Sequence, residues 1–180
     1  MIHPIKHFIT ITRHRHKVMI YCFKSGLIKQ GLLHDLSKYG FTEFLSGIKY
    51  YDGKKSPHYN ERLDKGYSSA WLHHKGRNKH HIDYWTDVNM KTFHIEPVDM
   101  PDRYVKECIC DRIAASKVYN KGNFKPKMVL DYFNKEAEFL PMHENTKEKI
   151  VFLLNYYINN GEKELFRYMK RNQIIIVNKP

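Results

Sequence analysis

The sequence predicts an all-α fold, a single-domain bundle of about six to eight helices with at most minor short strands. Its 180 residues suit one domain with one core. Hydrophobic residues make up 42% of the chain and aromatic residues 14%, which is enough to bury that core. Apolar residues recur at helical spacing through most of the chain. No stretch approaches the roughly 20 apolar residues that cross a bilayer, so no membrane span is expected.

Eight stretches combine helical spacing of apolar residues with helix start or stop signals. They are residues 10–25, 27–36, 43–51, 68–74, 101–119, 126–139, 146–159 and 162–171. Thr12 and Thr42 are the predicted N-caps of the first and third helices, because their hydroxyls can accept a free backbone N–H. Residues 52–66 contain many turn formers and are predicted to form a long loop with at most one helical turn, from Pro57. A short strand is predicted around residues 93–95.

The chain is strongly basic, with 31 Lys and Arg residues against 19 Asp and Glu residues and a formal net charge of +12. This excess favours anionic partners, namely phosphorylated metabolites, nucleic acid or an acidic membrane, and charge alone does not choose among them. The three cysteines form no disulfide framework, and residues 1–12 contain no secretory signal, so a reducing, cytoplasmic location is expected. The apolar stretch over residues 173–177 is expected to be a strand or an oligomer contact.

A candidate metal site begins with the adjacent residues His34 and Asp35, at the end of the second predicted helix. A neutral imidazole and a carboxylate together suit a divalent cation, although a capped helix end is the alternative for such a pair. The two leucines before the pair are expected to bury it and hold it rigidly. Upstream, His14 shares a helix face with Val18, which favours it over His16 as the inward residue, whether as a core histidine or as a ligand.

A second group of histidines lies in residues 71–85, between two tryptophans. The four histidines are His73, His74, His80 and His81. Histidine-dense tracts of this kind are typical of metal binding. Nucleic-acid contact through the neighbouring cations and simple surface enrichment are the alternatives. The flanking tryptophans indicate that the tract packs against the core.

Two acidic residues on predicted helices are further candidates. Asp111 lies within an apolar helix, where a buried carboxylate needs a partner, either a basic side chain or a metal ion. Glu43 either reaches the site as a base or hydrogen-bond acceptor, or acts only as a favourable acid in the first turn of its helix. Cys108 and Cys110 are not expected to bind a metal, because residues two apart on a helix do not converge.

Taken together, His14, His34, Asp35 and Asp111 resemble the ligand set of the HD superfamily of metal-dependent phosphohydrolases. That set comprises a histidine on one helix, an adjacent His-Asp pair on the next and an aspartate on a later helix. Residues 33–38, which read Leu-His-Asp-Leu-Ser-Lys, are similar to the His-Asp-x-x-Lys form of the central motif. Binuclear members of the superfamily carry further histidines between the pair and the last aspartate, where this chain has its two His-His doublets.

The resemblance to the superfamily covers about residues 12–119 and implies an HD-domain-like core. On this basis residues 10–122 form the metal-binding core of one domain that spans residues 1–180, and residues 123–180 add C-terminal helices that complete the bundle. The whole chain is also similar to a family of small uncharacterised bacterial and phage proteins that share the histidine-rich segment 72–81. That second similarity implies no activity.

The resemblance implies one or two divalent ions, with Mn, Fe, Co, Ni, Zn and Mg as candidates. The implied ligands are His14, His34, Asp35, His73, His74, His80, His81 and Asp111. One ligand is expected from each histidine doublet. Asp35 and Lys38 are the implied catalytic residues. The residues expected to bind the substrate are Lys38, Lys75, Arg77 and Asn78.

The function that the resemblance implies is hydrolysis of a phosphate mono- or diester by a metal-activated water. The expected substrate is a phosphorylated small molecule, such as a nucleotide, and no membrane partner is expected. Two alternatives remain open at this point. One is a basic nucleic-acid-binding module without catalysis, and the other is an inactive scaffold that binds metal without turnover.

Overall fold

A computed structural model describes residues 3–171 and 173–174 of the chain. It confirms the all-α, single-domain bundle: 71% of it is helical. The α-helices of the described residues are α1 (Pro4–Lys24), α2 (Ile28–Leu33), α3 (Phe41–Tyr50), α4 (Pro57–Lys65), α5 (Ser69–Lys75), α6 (Asp102–Asn120), α7 (Lys127–Ala137) and α8 (Glu144–Arg171). Short 3-10 turns lie at Leu36–Tyr39, Ile82–Tyr84 and Lys121–Asn123. No helix among these residues is long and apolar enough to cross a membrane.

The core lies between α1, α6, α7 and α8. α1 packs against α2 and α6, and α8 packs against α6 and α7. Fully buried apolar side chains from these helices meet there, among them Val18, Ile109, Ile113, Phe133, Leu153 and Leu154. Burial of this apolar surface is the main force that holds the helices together, and it fixes the relative positions of α1 and α6.

One small antiparallel sheet interrupts the helices. Strand β1 (Thr86–Val88) pairs with β2 (Ile95–Pro97), with Thr86 opposite Pro97 and Val88 opposite Ile95. The strand predicted around residues 93–95 therefore begins later, because Phe93 has a left-handed backbone with φ of 56° that strands do not adopt.

Several predicted helix boundaries are wrong. α1 begins at Pro4 and not at residue 10, because proline suits the first turn of a helix. Thr12 consequently lies inside α1, where its hydroxyl contacts the Tyr39 hydroxyl at 3.0 Å and caps nothing. Gly40 takes the N-cap position of α3 that was predicted for Thr42. The predicted separation of helices 146–159 and 162–171 is confirmed, because Gly161 is non-helical at φ 79° and ψ 174° within α8.

The predicted loop over residues 52–66 contains a complete helix, α4. Pro57 opens this helix and Gly66 ends it in the left-handed conformation. Its carboxylate Glu61 is fully buried and accepts hydrogen bonds from Ser68 at 2.6 Å and Ser69 at 2.8 Å. α4 therefore owes its stability to tertiary contacts with residues outside it, which local turn signals do not reveal.

Of the apolar stretch 173–177, the described residues include only Gln173 and Ile174. The backbone N–H of Ile174 donates to Oδ2 of Asp102 at 2.8 Å, and the Ile174 side chain is buried in the core. The expectation of a strand or oligomer contact over residues 175–177 lies outside the described residues.

Candidate metal centre

The candidate site is organised by the turn that carries His34 and Asp35. α2 ends at Leu33, and Asp35 adopts a left-handed backbone with φ of 53°, which aspartate tolerates better than most residues. The guanidinium of Arg15 on α1 donates to the backbone carbonyls of His34 at 3.1 Å and of Leu32 at 2.6 Å. These bonds satisfy free carbonyls at the end of α2 and hold the turn against α1.

The expectation that the two leucines bury this turn is wrong. Leu32 and Leu33 are 49% and 54% exposed, whereas His34 and Asp35 are almost fully buried. The short helix α2 turns the leucines outward and the His-Asp pair inward. Burial of the pair therefore comes from α1, α5 and α6, whose side chains surround it.

Side chains from distant parts of the chain converge on Asp35. The described residues contain three groups of potential ligand atoms, each with its members within 4.8 Å of one another; two of the groups include Asp35, and the third comprises His34, His80 and Glu107. The first group comprises His14, His34, Asp35 and Asp111. The second group comprises Asp35, His74, His80 and His81. Asp35 belongs to both groups, so the two candidate sites are adjacent.

The two carboxylate oxygens of Asp35 face different histidines. Oδ2 lies 3.4 Å from Nε2 of His34 and 3.6 Å from Nε2 of His14. Oδ1 lies 3.3 Å from Nε2 of His74 and 3.5 Å from Nε2 of His80. Ligands about 2.0–2.2 Å from a tetrahedral ion are about 3.3–3.6 Å apart, so these separations are those of atoms that could bind a common metal ion.

Five histidines direct an unpartnered nitrogen toward this centre. Within the described part of the chain, the buried Nε2 atoms without a hydrogen-bond partner include those of His14, His34, His74, His80 and His81. Oδ1 of Asp35 is unpartnered as well. Buried polar atoms are normally hydrogen-bonded, because desolvating them without a partner costs free energy. Imidazole nitrogens and carboxylate oxygens are also the usual ligands of borderline divalent ions, so the donor set fits such ions.

Two buried glutamates contact the far nitrogens of these rings. Oε1 of Glu107 on α6 lies 3.0 Å from Nδ1 of His34 and 3.2 Å from Nδ1 of His80. The two oxygens of Glu43 on α3 lie 2.7 Å from Nδ1 of His73 and of His74. An acceptor at Nδ1 keeps the proton there and leaves Nε2 free as a ligand. Glu43 thus occupies both predicted positions, in the first turn of its helix and beside the site.

The candidate centre lies within a part of the chain that matches a known protein family. Residues 3–156 match a family described as a family of unknown function (DUF5662). The chain belongs to this family. The matched residues of the DUF5662 chain contain both ligand groups and both glutamates. No curated protein and no solved structure matches the chain.

Charge in this DUF5662 centre favours ionised carboxylates. Burial acts to raise the pKa of Asp35, but the neighbouring cations, led by His34 and Lys38, outweigh it and hold the pKa well below its usual value. The pKa of Asp111 is also held well below its usual value, because the effect of the nearby His14 and His34 rings outweighs burial. Both carboxylates are therefore in the charged form that would be needed to hold a divalent ion.

The histidines differ in charge. Burial acts to lower the pKa of His34, but the surrounding carboxylates, led by Asp35, hold it well above the usual value. Burial lowers the pKa of His81 well below its usual value, and the neighbouring His80 and His74 rings act in the same direction. His81 is therefore neutral, which is the form of histidine that binds metals.

Among the predicted substrate-binding residues, Lys38 contacts Asp35, the carboxylate that both of these ligand groups include. Its Nζ lies 2.5 Å from Oδ2 of Asp35, and its side chain is 24% exposed. Lys75 is paired with Asp83 at 3.3 Å, and Arg77 is exposed. Asn78 is buried, and its side-chain amide donates to the His74 carbonyl at 2.8 Å and to Ser37 at 2.9 Å. These bonds position the turn after α5, which is a structural role for Asn78.

The two histidine doublets contribute differently to the ligand groups that contain Asp35. His73 belongs to neither ligand group, because it precedes His74 on α5 and its ring binds Glu43 instead. His80 and His81 both belong to the second group, although one ligand per doublet was expected.

His14 faces the centre and His16 is exposed, as the shared face with Val18 predicts.

Sequence reasoning missed Glu107 and Arg15. Glu107 lies four residues before Asp111, so the two share one face of α6, and this spacing is the signal that could have revealed it. The role of Arg15 has no such signal, because its partners are backbone carbonyls of a different helix.

Proposed function

We propose that this protein is a metal-dependent phosphohydrolase with two adjacent divalent-ion sites bridged by Asp35. The proposed substrate is a phosphorylated small molecule, such as a nucleotide. One observation carries the proposal: the two carboxylate oxygens of Asp35 face two separate sets of unpartnered histidine nitrogens. Paired sites that share a ligand suit the attack of water on a phosphate ester, since two ions can act on the attacking and leaving oxygens together.

Bound divalent ions supply two things, a water of lowered pKa and positive charge next to the phosphoryl oxygens. The chain supplies the rest. Asp35 holds the two sites together, and Glu43 and Glu107 orient the ligand rings from behind. Lys38 is the partly exposed cation beside Asp35, and its ammonium can bind a phosphoryl oxygen and stabilise the charge that develops there. The net charge of +12 favours approach of an anionic substrate.

Burial of the histidine nitrogens favours this function over a nucleic-acid-binding module. The five Nε2 atoms are buried, so they are not available to bind the surface of a macromolecule. Nucleic-acid binding by surface cations also gives no reason for these atoms to converge without partners. An inactive scaffold accounts for the ligand groups equally well, and turnover is what separates it from an enzyme.

The test combines metal analysis with a substrate screen. The wild-type protein, loaded with Mn²⁺, Co²⁺, Ni²⁺ or Mg²⁺, is expected to retain about two ions per chain and to hydrolyse nucleotides or sugar phosphates. Asp35→Ala is expected to lose both ions and all turnover. Asp111→Ala is expected to lose the ion of the first group. Asp131→Ala, which removes an exposed carboxylate paired with Lys127, is the matched control and should change neither quantity.

Three outcomes would overturn the proposal. A folded wild-type protein that binds no ion would exclude the metal centre, and steeply salt-dependent nucleic-acid binding by that protein would favour the binding module. Ion content unaffected by Asp35→Ala would place any ions elsewhere. Two bound ions with no turnover across the screen would favour the inactive scaffold.

A further inference from the structure

One oxygen of Glu107 is shared by two rings. Oε1 is hydrogen-bonded to Nδ1 of His34 at 3.0 Å and lies 3.2 Å from Nδ1 of His80, a close ion-pair contact. All three side chains are buried. The two rings lie side by side, with centroids 4.4 Å apart and planes tilted by 36°. A single carboxylate oxygen therefore fixes the orientation of both imidazoles.

The two rings that Glu107 contacts belong to different ligand groups. His34 is a member of the first group, with His14 and Asp111. His80 is a member of the second, with residues His74 and His81. Asp35 is the one potential ligand common to both groups, and it joins them from the opposite side of the rings.

The shared contact also determines which nitrogens carry protons. A carboxylate accepts hydrogen bonds and donates none, so both rings are expected to carry a proton on Nδ1. Nε2 is then the nitrogen that each ring can offer to a metal, and both Nε2 atoms are unpartnered and lie within 3.5 Å of an oxygen of Asp35. Glu107 thus orients one potential ligand atom, an Nε2, toward each site.

A second buried glutamate, Glu43, also contacts two histidine rings and can be compared with Glu107. These rings are those of His73 and His74, each contacted at 2.7 Å. His74 belongs to the second group and His73 to neither. Loss of Glu43 should therefore disturb one site only, whereas loss of Glu107 should disturb two.

We infer that Glu107 is a positioning residue shared by the two metal sites, which links the ion affinity of the first group to that of the second. The inference rests on the metal centre of the proposed function. His34, His80 and Glu107 could also bind a third ion through their facing atoms. The hydrogen bond at Nδ1 of His34 and the 3.2 Å contact at Nδ1 of His80 favour a proton on each of these atoms, and a third bound ion is an outcome of the test.

The experiment compares Mn²⁺ binding by the wild type, Glu107→Gln and Glu43→Gln, using titration calorimetry and metal analysis on the full chain. Glutamine keeps the size of the side chain and removes its charge. Glu107→Gln is expected to weaken both sites by about 10- to 100-fold, the usual effect of losing a residue that orients a ligand. Glu43→Gln is expected to weaken one site by a similar factor and to leave the other within about twofold.

A merely structural role for Glu107 is tested separately. Thermal unfolding of the metal-free variants measures stability, and the extra stability gained on adding Mn²⁺ measures binding. A structural role would lower the metal-free melting temperature of Glu107→Gln and leave both dissociation constants unchanged. That result would overturn the inference.

The remaining outcomes separate this inference from the proposed function. If the wild type binds two ions and Glu107→Gln weakens only one, the inference fails and the metal centre stands. Three ions in the wild type, falling to two in Glu107→Gln, would make Glu107 a ligand and also overturn the inference. If the wild type binds no ion or a single ion, the pair of sites does not exist and both proposals fail.

Discussion

The Nζ atom of Lys38 lies 2.5 Å from Oδ2 of Asp35, the same carboxylate oxygen that faces His14 and His34. Burial acts to lower the pKa of Lys38, but the negative charge of Asp35 outweighs it and raises the pKa above its usual value. Lys38 is therefore a permanent cation at the edge of the candidate metal centre, and it neutralises part of the buried carboxylate charge.

The Lys38→Gln substitution separates metal binding from catalysis. It removes a positive charge beside the ions and no ligand, so we expect the ion content to stay at about two per chain. The kcat of phosphate-ester hydrolysis should fall by about 100-fold, because a charge that stabilises the phosphoryl oxygens is lost. Lys54→Gln, at an exposed lysine, is the control and should retain full activity. An unchanged kcat in Lys38→Gln would contradict the role given to this residue.

The pair His14→Gln and His16→Gln tests which face of α1 carries the ligand. His14 is buried and its Nε2 lies 2.9 Å from Oδ1 of Asp111, whereas His16 is exposed. His14→Gln should bind one ion fewer than the wild type, and His16→Gln should bind as many, as measured by metal analysis after dialysis. Equal loss in both variants would mean that the effect arises from helix α1 in general.

The buried carboxylate Glu61 should make stability depend on pH. Burial acts to raise its pKa, but hydrogen bonds led by those from Ser68 and Ser69 outweigh it and lower the pKa from 4.5 to about 2. Because the folded state favours the ionised form, the stabilisation is complete above about pH 4.5 and is lost as the pH falls toward about 2.

Urea unfolding of the metal-free wild type and Glu61→Gln checks this pH dependence. The variant should be less stable by about 1–3 kcal/mol at pH 7, because the buried hydroxyl donors lose a charged acceptor. The gap between the two proteins should shrink between about pH 4.5 and pH 2.5, where protonation makes the wild-type side chain resemble glutamine. A gap that stays constant over this range would show that the Glu61 carboxyl has an ordinary pKa in the folded protein.

Gly47 on α3 is required because His7 on α1 packs directly against it. A Cβ added at Gly47 would lie 2.2 Å from Nε2 of His7. The His7 ring cannot move aside easily, since it is 5% exposed and packs between Phe44 and Tyr51. Gly47→Ala should therefore destabilise the protein by about 1–3 kcal/mol in thermal or urea unfolding. Gly122→Ala, where no atom lies within 4 Å of the added Cβ, should change stability by less than about 0.5 kcal/mol.

The amino-acid sequence by itself determined the helical class and the candidates for the site. Helical periodicity is a local property, because residues three and four apart share a helix face whatever the rest of the chain does. For this reason α6 and the break at Gly161 could be predicted, and His14 could be preferred to His16. The adjacent residues His34 and Asp35 could likewise be recognised as a candidate pair from residue type alone.

Only the tertiary structure decided how these candidates are arranged. Three features of the site depend on how helices far apart in the chain pack together. The two oxygens of Asp35 face different histidines, His73 lies outside the ligand groups, and Glu107 contacts two rings. α4 was missed for the same reason, since the donors to Glu61 come mainly from outside that helix. Local propensity describes a few neighbouring residues, whereas helix packing is set by burial of the whole core, so the convergence of side chains appears only in the folded protein.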